Sequence, residues 1–335
     1  MFRISTMLIV LAVLLLSVAG AQADAIDPRV DCRELSEADC QILRDNVKVM
    51  DGVTALRFDM QLDLGADLGG ILELAQVSGA GGGKLAVDQE VADAVNAAEG
   101  EDAWIAMVAT AMSGEIMLHF TGETTEDEID TQFIVLMENG IFALNEGAMA
   151  TLGGRMVPGF EWIGYDARGA VDELKAAVGA ADGGAMYPEL EEANASAMSR
   201  TRLPDAEVMG IPVAVLETRV DFRTVLSQMT LEDVLAEAEL DEAQSADVVM
   251  TVMQHLDMRD VSARQYIGLD DHYTHRIDFT VDMTIGGELL ELEGMDFNIT
   301  AFIEIDLYGF DEPFDVELPD DLMLIPLEML LRMGF

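Results

Sequence analysis

The chain has 335 residues and is strongly acidic, since 64 aspartates and glutamates against 18 lysines and arginines give a formal net charge of −46. Such a charge makes nucleic acid and anionic membrane surfaces poor partners. Half of the residues are nevertheless hydrophobic, which indicates a folded chain with a real core and its acidic residues outside. The acidity is either an adaptation to salt or a source of solubility for a very apolar protein, and we favour solubility.

The N-terminus has the pattern of a secretory signal peptide. Arg3 precedes an apolar run over residues 7–16, and the small residues that follow place cleavage after Ala23 or Ala25. The run is shorter than the roughly 20 residues that span a bilayer, and no cysteine stands at the cleavage site to carry a lipid anchor. We therefore expect residues 1–23 to be removed and the mature protein to be secreted or periplasmic, in the envelope space or outside the cell, without stable membrane insertion.

The first predicted element of the mature chain is a helix over residues 36–50. Ser36 begins a Ser-Glu-Ala-Asp pattern that is typical of a helix N-terminus. Cys32 and Cys40 are the only cysteines, and in an oxidising compartment they predict one disulfide beside the start of this helix. A redox or metal-binding pair is the alternative, but it would lack both the CxxC spacing and nearby histidines.

Alternation of apolar and polar residues predicts long β-strands further along the chain. In residues 55–64 the apolar side chains fall on one face of a strand and the charged or amide side chains on the other. The same pattern occurs at 115–120, 132–137, 141–145, 160–165, 211–222, 263–269, 272–285 and 297–307. Asn139-Gly140 and Gly286-Gly287 are typical of hairpin turns. The strands therefore predict an antiparallel sheet.

Helical spacing recurs at 170–178 and 226–257, which makes the chain an α+β protein. Residues 65–110 are rich in Gly and Ala and contain GAGGG at 79–83, so we interpret them as a partly flexible insertion. Residues 180–205 are expected to form a surface loop. No repeat or long linker divides the chain, and residues 24–335 are predicted to form a single domain.

The sequence carries no catalytic signature. His272 and His275 lie an odd number of residues apart in a predicted strand and so point to opposite faces. The GxSxG, HExxH, P-loop and dinucleotide-binding patterns do not occur. We expect no enzymatic activity, no cofactor and no metal site. The 22 methionines either fill a core or line an adaptable apolar binding surface.

The C-terminal third has a recognisable order of motifs. A strand leads through an acidic turn, within residues 266–271, into the long strand 272–285. After the last long strand come Tyr308-Gly309, Glu312-Pro313, Val316, Leu318 and Pro319. This order resembles the closing strands of the LolA-like lipid carriers, especially the lipoprotein-like LppX/LprG type of envelope protein. The resemblance implies a strongly curved antiparallel half-barrel with helices covering its concave face, and an apolar cavity for acyl chains between them.

The expected function is then non-catalytic binding of a lipid or another hydrophobic small molecule, as carrier or chaperone, with an envelope protein as a candidate partner. The ligand is expected to contact one apolar face, formed by Leu56, Phe58, Met60, Leu62, Leu118, Phe120, Phe133, Val135, Tyr273, Ile277, Phe279, Val281, Met283, Ile299 and Ile303. Arg276, Asp278 and Asp282 are expected in solvent on the other face. The alternative is an acidic secreted surface, structural or cation-binding protein whose core is filled.

Overall fold

The structure is a computed structural model, and it describes residues 30, 32, 34–67, 76–87, 112–123, 128–151, 161–169, 197–221, 256–286 and 296–328. The expected signal peptide and the expected helix at 170–178 lie outside these residues. No helix within the described ranges is long and apolar enough to cross a membrane.

Two helices and twelve strands make up the described part of the chain. The helices are α1 (Glu37–Met50) and α2 (Glu146–Thr151). The strands are β1 (Ala55–Asp67), β2 (Gln76–Val87), β3 (Met112–Glu123), β4 (Glu128–Glu138), β5 (Ile141–Asn145), β6 (Trp162–Asp166), β7 (Met198–Val208), β8 (Ile211–Val220), β9 (Leu256–Gly268), β10 (Thr274–Gly286), β11 (Asp296–Tyr308) and β12 (Met323–Pro326).

Helix α1 begins where the sequence predicted it. The Ser36 side chain accepts a hydrogen bond from the backbone N–H of Asp39 at 3.3 Å, which satisfies one of the free donors at the helix N-terminus. The predicted disulfide is confirmed, since Cys32 and Cys40 are bonded with their Cα atoms 5.3 Å apart. The bond ties the segment before α1 to its first turn.

All twelve strands belong to one large, open, curved sheet, in the order β12-β6-β5-β4-β3-β2-β1-β11-β10-β9-β8-β7. The described pairs are antiparallel except β12 with β6, which is parallel. Strands β1–β6 form one meander and β7–β11 another, and the pairing of β1 with β11 joins them along eleven residue pairs, from Arg57↔Tyr308 to Asp67↔Asn298. The predicted antiparallel sheet is therefore confirmed.

Three stretches differ from their sequence interpretation. The GAGGG stretch, expected to be a flexible break, lies in β2, which pairs with β1 on one side and β3 on the other. Residues 198–205, expected within a surface loop, lie in the edge strand β7. Of the helix expected at 226–257, only residues 256 and 257 are described, and they begin β9. In each case pairing with a neighbouring strand decided the conformation over local propensity.

Candidate ligand-binding face

The centre of the sheet has one continuous apolar face, built from β3, β2, β1, β11 and β10. Strand register places Met60 beside Ile305, which in turn pairs with Ile277. Six side chains of this face are buried together: Met60, Leu62, Leu118, Phe120, Ile303 and Ile305. Around them pack partly buried side chains: Phe58, Leu64, Val77, Ile116, Phe133, Phe279 and Leu307. We call these two groups the central cluster.

Strand β2 contributes three glycines to the middle of the apolar face. A Cβ atom at Gly79 would lie 2.9 Å from a ring carbon of Phe120, and one at Gly83 would lie 2.8 Å from ring carbons of Phe58. The two aromatic rings thus occupy the space that side chains of β2 would need. At Gly81 an added Cβ would clash with the Met117 carbonyl oxygen. The glycines are therefore required for close packing of β1 and β3 around β2.

Both described helices pack on this same face, at its two ends. Leu43 of α1 packs with Leu216 and Ile267. Leu216 lies on the apolar face, because it is the strand partner of Gln265, and Gln265 is in turn the partner of Ile277. At the other end, α2 contributes Ala148 to a cluster that includes Leu144, Ile163, Phe133 and Val135. Neither helix contributes a residue to the central cluster.

Most of the residues expected to contact a ligand share the apolar face. Eight of them lie in the central cluster: Phe58, Met60, Leu62, Leu118, Phe120, Phe133, Phe279 and Ile303. Val135 lies in the cluster beneath α2. The remaining strand residues are partly buried on the same face by register: Leu56, Ile277, Val281, Met283 and Ile299. The sequence interpretation missed Ile305, Ile116 and Leu307, although strand alternation alone would have placed all three on this face.

Tyr273 lies apart from the other expected residues. It precedes β10, and a β-bulge between Thr274 and Arg276 interrupts the alternation that linked it to Ile277. Its ring stacks on Phe310 with the ring centroids 4.3 Å apart. The bulge also turns Thr274 towards α1, where its hydroxyl accepts a hydrogen bond from Asn46 at 3.0 Å.

Asn46 connects α1 to the sheet through a buried set of hydrogen bonds. Its side-chain nitrogen donates to the backbone carbonyl of His272 at 2.7 Å as well as to Thr274. Its side-chain oxygen accepts from Gln265 at 2.9 Å. Because Asn46 is only 2% exposed, these bonds fix both the position and the rotation of α1 on the apolar face.

The opposite, polar face of β8–β11 carries a network of charges, and Asp278 within it corrects one expectation. Asp278 is 7% exposed rather than in solvent, and the Tyr266 hydroxyl donates to it at 2.6 Å. Burial raises the pKa of Asp278, and it raises the pKa of Tyr266 to about 12. Arg276 is partly buried and binds Asp306 at 2.6 Å and Glu304 at 2.8 Å. Strand alternation identified the face correctly but not the burial.

A second carboxylate of the polar face is also buried. Glu217 is held by Arg219 at 2.7 Å and by Arg264 at 2.9 Å. The hydrogen bond from Arg219 lowers the pKa of Glu217, so its charge is balanced by two guanidinium groups. Asp282 is partly buried and forms an ion pair with Arg259. In the described ranges, no group of three or more His, Cys, Asp or Glu side chains could hold a metal ion.

Comparisons with known proteins give structural likenesses only. No protein-family model matches the chain, and no curated protein sequence matches it significantly. The chain is similar to the lipoprotein LppX of Mycobacterium tuberculosis, with 9% identity, 84% of this chain and 100% of that chain covered, and a TM-score of 0.32. It is also similar to LprF of Mycobacterium bovis, with 10% identity, 85% of this chain and 98% of that chain covered, and a TM-score of 0.33.

A third similar structure is a putative outer membrane lipoprotein-sorting protein domain from Vibrio parahaemolyticus, with 10% identity, 82% of this chain and 93% of that chain covered, and a TM-score of 0.20. These structures include the type of envelope protein that the C-terminal motifs resemble. Because every TM-score lies below 0.5, none of the likenesses supports a statement about function.

Proposed function

We propose that this protein binds the acyl part of a lipid, or a similar hydrophobic molecule, against the apolar face of its sheet and carries it through the cell envelope without catalysis. The observation that carries the proposal is the partial burial of several large side chains within the central cluster. Phe58, Ile116, Phe133, Phe279 and Leu307 are packed on one side but keep accessible area. Apolar side chains gathered on one face and still accessible are typical of a binding surface.

The energetics of such binding need no charged or catalytic group. Each methylene that leaves water for an apolar surface contributes about 0.8 kcal/mol, and the cost of ordering the ligand is set against this sum. Ten buried methylenes would supply about 8 kcal/mol before that cost. Placement in the envelope rests on the signal-peptide pattern at residues 1–23.

The test is uptake of a fluorescent fatty acid by the mature protein, compared with a Met283→Trp variant. Met283 is partly buried on the apolar face and pairs with Ile299. If ligand occupies the space beside Met283, the larger indole should fill that space and abolish uptake while the protein stays folded. The matched control is Met117→Trp, because Met117 is 43% exposed and pairs with Gly82 on the opposite face. This control should bind like the wild type.

The filled-core alternative gives the opposite result. In a close-packed core the same Met283→Trp change should cost about 1–3 kcal/mol of stability through overpacking and should have no uptake to remove. Absence of fatty-acid binding by the wild type, or unchanged binding by a destabilised Met283→Trp variant, would exclude the carrier proposal. Native mass spectrometry of protein purified from its own envelope would then reveal whether any lipid accompanies it.

A further inference from the structure

The polar face carries a depression at the end of the sheet where β1, β2, β10 and β11 meet. Its volume is about 500 Å³, within the range of small-molecule sites. It is lined by Asp63, Leu64, Gly65, Ser78, Thr280, Val281, Asp282, Thr300, Ala301 and Phe302. By strand register, seven of these residues belong to the face opposite the central cluster: Asp63, Gly65, Ser78, Thr280, Asp282, Thr300 and Phe302. Leu64, Val281 and Ala301 alternate with them along the same strands.

Strand register brings an unusual set of side chains together in this depression. Phe302 pairs with Asp63 on one side and with Thr280 on the other. One step along the strands, Thr300 lies between Gly65 and Asp282. Opposite residues of an antiparallel pair have Cα atoms about 5 Å apart. The aromatic ring is therefore flanked on both sides by groups that form hydrogen bonds.

Phe302 has no evident structural reason to be where it is. It is 37% exposed, and its two cross-strand neighbours, Asp63 and Thr280, are polar. An aromatic ring beside polar groups suits a ligand with one apolar surface and a polar edge. Gly65 leaves open the space next to Thr300, because a Cβ atom at residue 65 would lie 2.7 Å from the Thr300 hydroxyl oxygen.

The polar groups define the chemistry of that ligand. Asp63 accepts a hydrogen bond from Ser78 at 2.8 Å and, as a carboxylate, retains further acceptor positions. Asp282 is paired with Arg259, so the lining retains the negative charge of Asp63 and disfavours phosphate or carboxylate ligands. The Ser78 hydroxyl donates to Asp63 and the Thr300 hydroxyl donates to the Gly65 carbonyl at 3.4 Å, so both can still accept a hydrogen bond from a ligand, as can the Thr280 hydroxyl. We propose that this depression binds the ring of a neutral sugar, stacked on Phe302 with its hydroxyls bonded to Asp63 and the threonines.

The experiment is an NMR titration of the mature protein with methyl glucoside, methyl galactoside and maltotriose, with choline chloride as a separate arm. We expect at least one sugar to bind and Phe302→Ala to weaken it by at least about tenfold, which corresponds to about 1.4 kcal/mol. Phe302→Tyr retains the ring and should retain binding. Met117→Ala removes another exposed side chain from the same face and should bind sugar like the wild type.

Two results would overturn the assignment: no sugar binds, or sugar binds equally well to a folded Phe302→Ala variant. If no sugar binds but choline does, the first of these results identifies a quaternary ammonium ligand instead, since aromatic rings and carboxylates recognise such groups as well. Fatty-acid uptake by the Phe302→Ala variant, measured in parallel, should be unchanged. Failure of the sugar site and failure of the carrier proposal are therefore distinguishable.

Discussion

Replacing Asn46 by alanine should loosen α1 from the sheet at a measurable cost. The substitution removes hydrogen bonds to the His272 carbonyl, to Thr274 and from Gln265. A net hydrogen bond contributes about 1 kcal/mol, and a buried partner left unpaired costs about 1–3 kcal/mol. Gln265 still reaches Thr274 at 2.9 Å after the change, so only the His272 carbonyl loses the partner described for it. We expect a loss of about 3 kcal/mol in the free energy of unfolding.

Urea unfolding followed by circular dichroism would measure this loss. An unchanged slope of the unfolding free energy against urea concentration would show that the folded state is as compact as in the wild type. Gln41→Ala is the matched control, because Gln41 lies on the exposed side of α1 and its amide donates to Asp45 of the same helix at 3.0 Å. Its cost should stay below about 0.5 kcal/mol. A loss smaller than about 1 kcal/mol for Asn46→Ala would refute the view that this side chain anchors the helix.

Three further predictions concern the disulfide, the glycine strand and the buried acid. Reduction of Cys32–Cys40, which closes a separation of 8 residues, should lower stability by about 2–3 kcal/mol; an equal melting temperature with and without reductant would contradict this. Gly81→Ala should cost more than about 1 kcal/mol, because its Cβ would clash with the Met117 backbone carbonyl; a melting temperature equal to that of the wild type would contradict this, and Ala80→Ser on the exposed face of β2, expected to change stability by less than about 0.5 kcal/mol, is the control. Burial raises the pKa of Asp278 above its ordinary value of 3.8, so its charge destabilises the fold at neutral pH and the penalty vanishes in acid. Asp278→Asn should therefore gain stability relative to the wild type as the pH rises from 3 towards 7, and a difference independent of pH would disprove this.

The elements with strong alternation or helical spacing could be predicted from the sequence. Helix α1 begins within one residue of its predicted start, and β1, β10 and β11 follow their apolar and polar faces because each lies between an apolar cluster and a charged face. The disulfide could be predicted because Cys32 and Cys40 are the two cysteines of the sequence and both lie beside the start of α1. Most of the apolar face therefore follows from the alternation of residues in the sequence.

The remaining features depend on contacts that no local pattern encodes. Strand β2 contains four glycines, which alone predict flexibility; they form a strand because β2 pairs with β1 and β3, whose backbone and aromatic rings approach too closely for larger side chains. Strand β7 contains Pro204 and many polar residues, as an edge strand can. The bulge that separates Tyr273 from Ile277 changes side-chain direction without any sequence signal of its own.

The joining of the two meanders constrains the order in which the chain can fold. Strands β1–β6 are complete by Asp166, yet the outer edge of β1 is covered only by β11 and that of β6 only by β12. Until β11 and β12 have paired, a sheet made of β1–β6 alone has two uncovered edges, and such edges pair readily with other chains. Non-local pairing of this kind is slow to form. We therefore expect an intermediate in which β1–β6 have paired before β11 and β12 to be the species of this chain most prone to aggregation.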